Sequence, residues 1–162
     1  GQASVTALPF AAASFDLVSS YEVLYHRAVG DPRIPLAEFY RVLSPGGRVL
    51  LRLPAYDRLR GHHDIIIHTA RRFSASQLGR DLETVGFTVA RLPYANTLLF
   101  PITLARRLLD HLLPHNDTGN SDVIPNPAWL DDALTAVLGL EASWLRQHDL
   151  PFGLTVAALA TK

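Results

Sequence analysis

Three histidines and one aspartate fall within seven residues, at His62, His63, Asp64 and His68. That composition can bind a metal, accept a proton or line a polar ligand pocket. Adjacent His62 and His63 point apart on most backbones, whereas Asp64 and His68 stand four apart and share a face if the stretch is helical. Pocket lining or a solvated loop accounts for the group better than a metal site does, and no metal ligands are assigned. Arg71 and Arg72 follow; each guanidinium can clamp an anionic group through two bonds or pair with Asp81 or Glu83. His26 stands apart from this group, as a base or as a helix-surface or packing residue.

The chain has no Cys, so a thiol nucleophile, a disulfide framework and a Cys-based zinc site are excluded, and a cytoplasmic location is the plain expectation. Fifteen basic residues balance fifteen acidic ones, which leaves no global field to draw in nucleic acid or an anionic membrane. No apolar run reaches the ~18 residues of a membrane span. Neither nucleic acid nor a membrane is expected as a partner. The 162 residues are 48% apolar and 19% charged, in keeping with one globular domain over 1–162.

In open α/β sheets ligands gather at the carboxyl ends of strands, so the strands decide which of these groups meet. Phe15 to Ser20 reads as a strand buried on both faces, and Tyr21 to Ala28 has room for a short helix before Gly30 and Pro32 interrupt it. Leu36, Phe39, Tyr40 and Leu43 give a helix an apolar stripe from Pro35. Pro45 stops that helix near Ser44, Gly46-Gly47 turn the chain, and Arg48 to Leu53 forms the next strand.

Further on, Ser74 caps a helix with Gln77 three residues later, Leu78, Leu82 and Val85 face inward, and Gly86 closes it. Phe87 to Leu92 is a strand. Leu98 to Leu113 is a second amphipathic segment; the part from Asn96 to Arg107 is core packing, an apolar lid over a hydrophobic ligand or a surface helix. Residues 115–127 read as a mobile loop. Pro127 to Gln147 is a helix with Trp129 and Trp144 about four turns apart, both turned inward, and Gly153 to Thr161 is the last strand.

Four segments in order carry a resemblance: Leu8-Pro9-Phe10, then Ser14-Phe15-Asp16-Leu17-Val18, Glu22-Val23-Leu24-Tyr25-His26, and Arg41-Val42-Leu43-Ser44-Pro45-Gly46-Gly47-Arg48. In this order and spacing they resemble the second half of the class I S-adenosylmethionine-dependent methyltransferases of the small-molecule, type 11-like group. Later segments, among them Pro54-Ala55-Tyr56, Tyr94-Ala95-Asn96 and Leu150-Pro151-Phe152-Gly153, are similar to a bacterial branch of those enzymes.

The resemblance implies a partial Rossmann-like α/β sheet with flanking helices, made of strands four to seven of seven, the last antiparallel to the rest. It implies S-adenosylmethionine as cofactor and a small-molecule methyl acceptor. The glycine-rich cofactor loop and the acidic residue that binds the ribose are expected upstream of residue 1, so the chain is expected to be the C-terminal two-thirds of the fold, with impaired transfer. Ser4 and Val5 occupy the positions where the family sets Asp-Ala against the adenine, with Ser in place of Asp. Ser19, Ser20 and Tyr21, at a strand's carboxyl end, are assigned to the methionine end. His26 and His68 are the catalytic candidates, and Tyr56, His63, Asp64, Arg72 and Asn96 are assigned to the acceptor. With the first three strands missing, Phe15 to Ser20 becomes a sheet edge, and a homo-oligomer formed through that edge is expected. The alternative is a degenerate methyltransferase-like module that binds or oligomerises without catalysis.

Overall fold

In the computed structural model of the chain, which describes residues 2–57, 68–105 and 127–162, Phe15–Tyr21 (β1) runs parallel to Leu43–Pro54 (β2). Leu17 lies opposite Arg48 and Tyr21 opposite Arg52. Between these two strands runs Arg33–Val42 (α1), which buries Pro35, Leu36, Phe39 and Val42. The two apolar stretches flanking this helix are thus adjacent parallel neighbours, as the sequence predicts.

The turn expected at Pro45-Gly46-Gly47 is instead a bulge inside β2. Phe15 pairs with Leu43 and Leu17 already with Arg48, so the extra residues on β2 loop out while the strand continues. Gly46 takes φ +80° there, and a Cβ at Gly47 would come 2.8 Å from the Ser44 carbonyl oxygen. A residue before proline resists helical geometry, and α1 ends at Val42, where Leu43 turns extended (φ −74°, ψ 140°).

Ala75–Val85 (α2), Thr88–Arg91 (β3), Tyr94–Ala95 (β4), Ala128–Leu145 (α3) and Thr155–Thr161 (β5) follow. The Ser74 hydroxyl accepts from the Gln77 amide at 3.2 Å, and Gly86 (φ 113°) closes α2 in the left-handed region, both as expected from the sequence. β5 inserts between β2 and β3 and is antiparallel to each, giving the order β1-β2-β5-β3, with β4 pairing the other half of β5. The last strand is therefore antiparallel and sits one place in from the edge. Leu36 and Phe39 of α1, Leu78 and Leu82 of α2, Val49, Leu51 and Leu53 of β2, and Val156, Ala158 and Ala160 of β5 form one core with Phe73 and Phe87.

Three expectations need correction. Tyr21 ends β1, and the short helix after it is only a 3-10 turn, Arg27–Val29, stopped by Gly30 at φ 66°. β1 is not buried on both faces: among the described residues it pairs with β2 alone, and Leu17 is 58% and Tyr21 52% exposed. Trp129 and Trp144 face outward, and the one buried residue of α3 is Glu141, because the apolar residues of this helix are spread around it instead of forming one stripe. Of the amphipathic segment from Leu98, residues 100–105 are helical; its remainder, and the loop at 115–126, lie outside the described residues.

Candidate active site at the carboxyl edge of the sheet

β1 and β2 end side by side, with Tyr21 opposite Arg52, and the segments that follow them cross-link. The Arg27 amide donates to the His68 carbonyl at 3.0 Å, the Ala70 amide to the Tyr25 carbonyl at 2.9 Å, and the Tyr56 amide to the Phe73 carbonyl at 3.1 Å. Ser19, Ser20, Tyr21, Glu22, His26, Tyr56, His68 and Arg72 therefore belong to one edge.

Ser20 is 7% exposed and its hydroxyl has no hydrogen-bond partner among the described residues. A buried unsatisfied hydroxyl costs about 1–3 kcal/mol, which a polar ligand atom bonded to it would offset; the Thr69 hydroxyl is buried and unpartnered among the described residues as well. The Ser20 hydroxyl fits the methionine end of the expected cofactor. Ser19 and Tyr21 are exposed beside it. Ser4 forms a tight turn with Ala7, and its hydroxyl bonds the Thr6 hydroxyl at 2.7 Å. Val5 packs against the core. Among the described residues no hydrogen bond ties Ser4 or Val5 to the β1 end.

The His26 ring caps the 3-10 turn, its Nδ1 accepting from the Ala28 amide at 3.1 Å. In the neutral ring that fixes the proton on Nε2, assigned from the hydrogen bond, so Nε2 presents a donor. To take a proton at Nε2 the ring must first give up the Ala28 bond. His68 lies edge-on to it, ring centroids 6.0 Å apart, on a backbone with φ 55°.

Glu22 was not singled out from the sequence as a site residue. It follows Tyr21 with φ 56°, its amide donates to the Arg52 carbonyl at 2.9 Å, and its carboxylate stands 3.4 Å from Arg52 Nε. Burial pushes its carboxyl above the ordinary range, opposed by the Arg52 and Arg72 charges. The available signal was a carboxylate at a strand end, the one charged residue between Val18 and Leu24.

An aromatic row continues along the edge. Tyr56 stacks on Tyr94 with ring centroids 5.2 Å apart, Phe100 meets Tyr56 edge-on at 5.9 Å, and Phe152 meets Phe100 at 5.5 Å. Burial, then the bond to the Tyr94 hydroxyl, pushes the Tyr56 phenol up to about 12, against a lowering by the Gly153 amide. At neutral pH it is a donor. Arg72 donates from its guanidinium to the Ala55 carbonyl at 3.2 Å and from its amide to Asp57 at 3.0 Å. Asn96 has a supporting place: its amide donates to Glu141 and its side chain to the Thr155 hydroxyl at 3.0 Å. His63 and Asp64, like His62, lie outside the described residues. Among those described, no three His, Asp or Glu side chains group as metal ligands, and no helix is long and apolar enough to cross a membrane.

Residues 1–51 match the family model of a methyltransferase domain, a stretch that takes in β1, α1 and most of β2. No curated protein sequence matches the chain. Among solved structures, a SAM-dependent methyltransferase from Thermotoga maritima is 18% identical, covering 99% of this chain and 62% of its own, with a TM-score of 0.54. The [4+2]-cyclase SpnF is 19% identical over 100% of this chain and 56% of its own, at 0.55. Phosphoethanolamine N-methyltransferase 2 from Haemonchus contortus, solved in complex with S-adenosyl-L-methionine, is 16% identical over 98% of this chain and 36% of its own, at 0.52. The chain thus spans less than two thirds of the length of each. At these identities the likeness shows the fold, and the resemblance to class I methyltransferases read from the sequence is borne out by that fold and by the family match.

Proposed function

We propose that this chain takes part in S-adenosylmethionine-dependent methyl transfer to a small-molecule acceptor. The observation that carries the reading is the coincidence of two things: the segment matched to a methyltransferase domain is the β1-α1-β2 unit, and the carboxyl end of β1 holds the buried Ser20 hydroxyl, which has no partner among the described residues. The fold alone does not decide the chemistry; a cyclase shares it.

When bound, the cofactor supplies a methyl group already activated on a sulfonium, so the protein's share of the work is alignment, exclusion of water and proton handling. Ser20, with Ser19 and Tyr21, holds the methionine end, and Ser4 and Val5 lie on the adenine side. Tyr56 and Arg72 bound the acceptor side. His26 offers its Nε2 proton to an oxygen or nitrogen of the acceptor and so orients it. Glu22, whose carboxyl is raised by burial, is the group that takes up a proton. Calorimetric titration with S-adenosylhomocysteine tests the reading: a micromolar dissociation constant is expected, and no binding by a folded chain overturns it.

The free edge of β1 favours a second property. Its outer N–H and C=O groups, which no strand pairs among the described residues and which exposed Phe15, Leu17 and Tyr21 flank, form a template for another strand. We propose that two copies pair there.

A further inference from the structure

We infer that the cavity between α3 and the Thr97-Leu98 turn seats the apolar part of the methyl acceptor, a flat bicyclic ring or an alkyl group of similar bulk; this assignment rests on the methyl-transfer reading above. The cavity has a volume of about 280 Å³ and is lined by Thr97, Leu98, Leu140, Glu141, Trp144 and Leu150. An apolar cavity of ~150 Å³ takes one benzene, so this one has room for roughly two fused rings.

Its place in the fold links it to the candidate site. Thr155, the first residue of β5, lies opposite Pro54, the last of β2, so this end of β5 is at the same carboxyl edge. The Tyr94 amide donates to the Leu150 carbonyl at 3.0 Å, and the Thr97 hydroxyl donates to the Phe152 carbonyl. Two cavity walls are thus bonded directly to two members of the aromatic row. Along the edge, β4 lies three strands from β1, or about 14 Å at the usual strand spacing. An acceptor of about that length can rest its ring in the cavity, run past Tyr56 and Phe100, and present its nucleophile beside Ser20 and Tyr21.

Glu141 explains how the cavity keeps an apolar lining around a carboxylate. One of its oxygens accepts from the Asn96 amide and the other from the Leu98 amide, at 3.0 Å. The charge is committed to tying the 96–98 turn to α3, and Leu98, Leu140, Trp144 and Leu150 are left to form the opening. Leu140 is 70%, Trp144 57% and Leu98 51% exposed. Three large apolar side chains exposed around one concave mouth give an apolar ligand surface to bury.

The chain has two tryptophans, of which only Trp144 lines the cavity, so the two indole N–H signals in a proton–nitrogen NMR spectrum read cavity and surface separately. Titration with 2-naphthol is expected to shift the Trp144 signal saturably and leave Trp129 in place. Leu140→Gln, at an exposed helix position, and Leu98→Phe, which fills the mouth without adding an indole signal, are each expected to weaken that binding at least tenfold. An unmoved Trp144 signal, parallel non-saturating shifts of both indoles, or full binding by both variants overturns the inference. Titration of the same samples with S-adenosylhomocysteine separates the two levels. Cofactor binding without naphthol binding sinks the cavity and spares methyl transfer; naphthol binding without cofactor binding keeps the cavity and sinks its role as acceptor site.

Discussion

The backbone of Gly153 lies flush against the backbone of Ala95: a Cβ on residue 153 would come within 2.8 Å of the Ala95 carbonyl carbon and closer still to its oxygen. Since the obstacle is main chain, no side-chain rotation relieves it. Gly153→Ala is expected to force β4 away from β5 and to cost about 1–3 kcal/mol, the usual penalty of overpacking. Urea unfolding measures the loss, and a change near zero would show that the two segments are not in contact.

Ser20→Ala removes a hydroxyl that is buried and has no partner among the described residues. Its stability should be unchanged or slightly higher, while affinity for S-adenosylhomocysteine should fall about tenfold, the equivalent of one good hydrogen bond. Unchanged affinity would remove Ser20 from the cofactor site.

His26 carries two separable roles. An Asn at this position can present its side-chain oxygen to the Ala28 amide as Nδ1 does now, but has nothing at Nε2. His26→Asn should therefore hold stability, whereas His26→Ala should cost about 0.5–1 kcal/mol through the lost cap. Thermal unfolding of the pair decides whether the ring is held as described; equal losses would say it is not.

Glu38 accepts from the Leu8 amide at 2.8 Å and from Arg41 Nε and Nη2 at 2.8 and 2.9 Å. The Arg41 bonds, then the Leu8 amide, hold its carboxyl down to about 2, from 4.5. Folding therefore favours the ionised form: this contribution is complete above about pH 4.5 and is lost as pH falls toward 2. Glu22, raised by burial, works in the opposite sense, its contribution being present at low pH and lost as pH rises through its elevated value. A melting-temperature profile should show the native chain losing ground relative to Glu38→Gln between pH 4.5 and 2. Parallel profiles would mean that Glu38 is not held by Arg41 and Leu8 as described.

Leu17 is 58% exposed on the free edge of β1. Light scattering after size exclusion should show a dimer or larger species at micromolar concentration, and Leu17→Lys should shift it toward monomer by placing a charge on the edge. A native chain that is already monomeric rules out the pairing.

What the sequence determined by itself is the set of elements fixed by local rules. Pro and Gly punctuation, the Ser74 cap and 3.6-residue periodicity act within a few residues, so α1, α2 and the strands at Phe15 and Arg48 were legible, with the Pro45-Gly46-Gly47 bulge misread as a turn because strand pairing carries the chain through it. The order of four spaced motifs brought the family resemblance and, with it, the antiparallel last strand. What only the tertiary structure decided depends on residues far apart in the chain. Glu22 is held at the carboxyl edge by Arg52 of the neighbouring strand, and His26 became a turn cap with a fixed ring. Asn96 took a supporting place because Glu141 and Thr155, 45 and 59 residues away, hold it. The apolar content of α3 promised a buried face, yet a helix buries only what a neighbour covers; here that is one glutamate, with a cavity beside it.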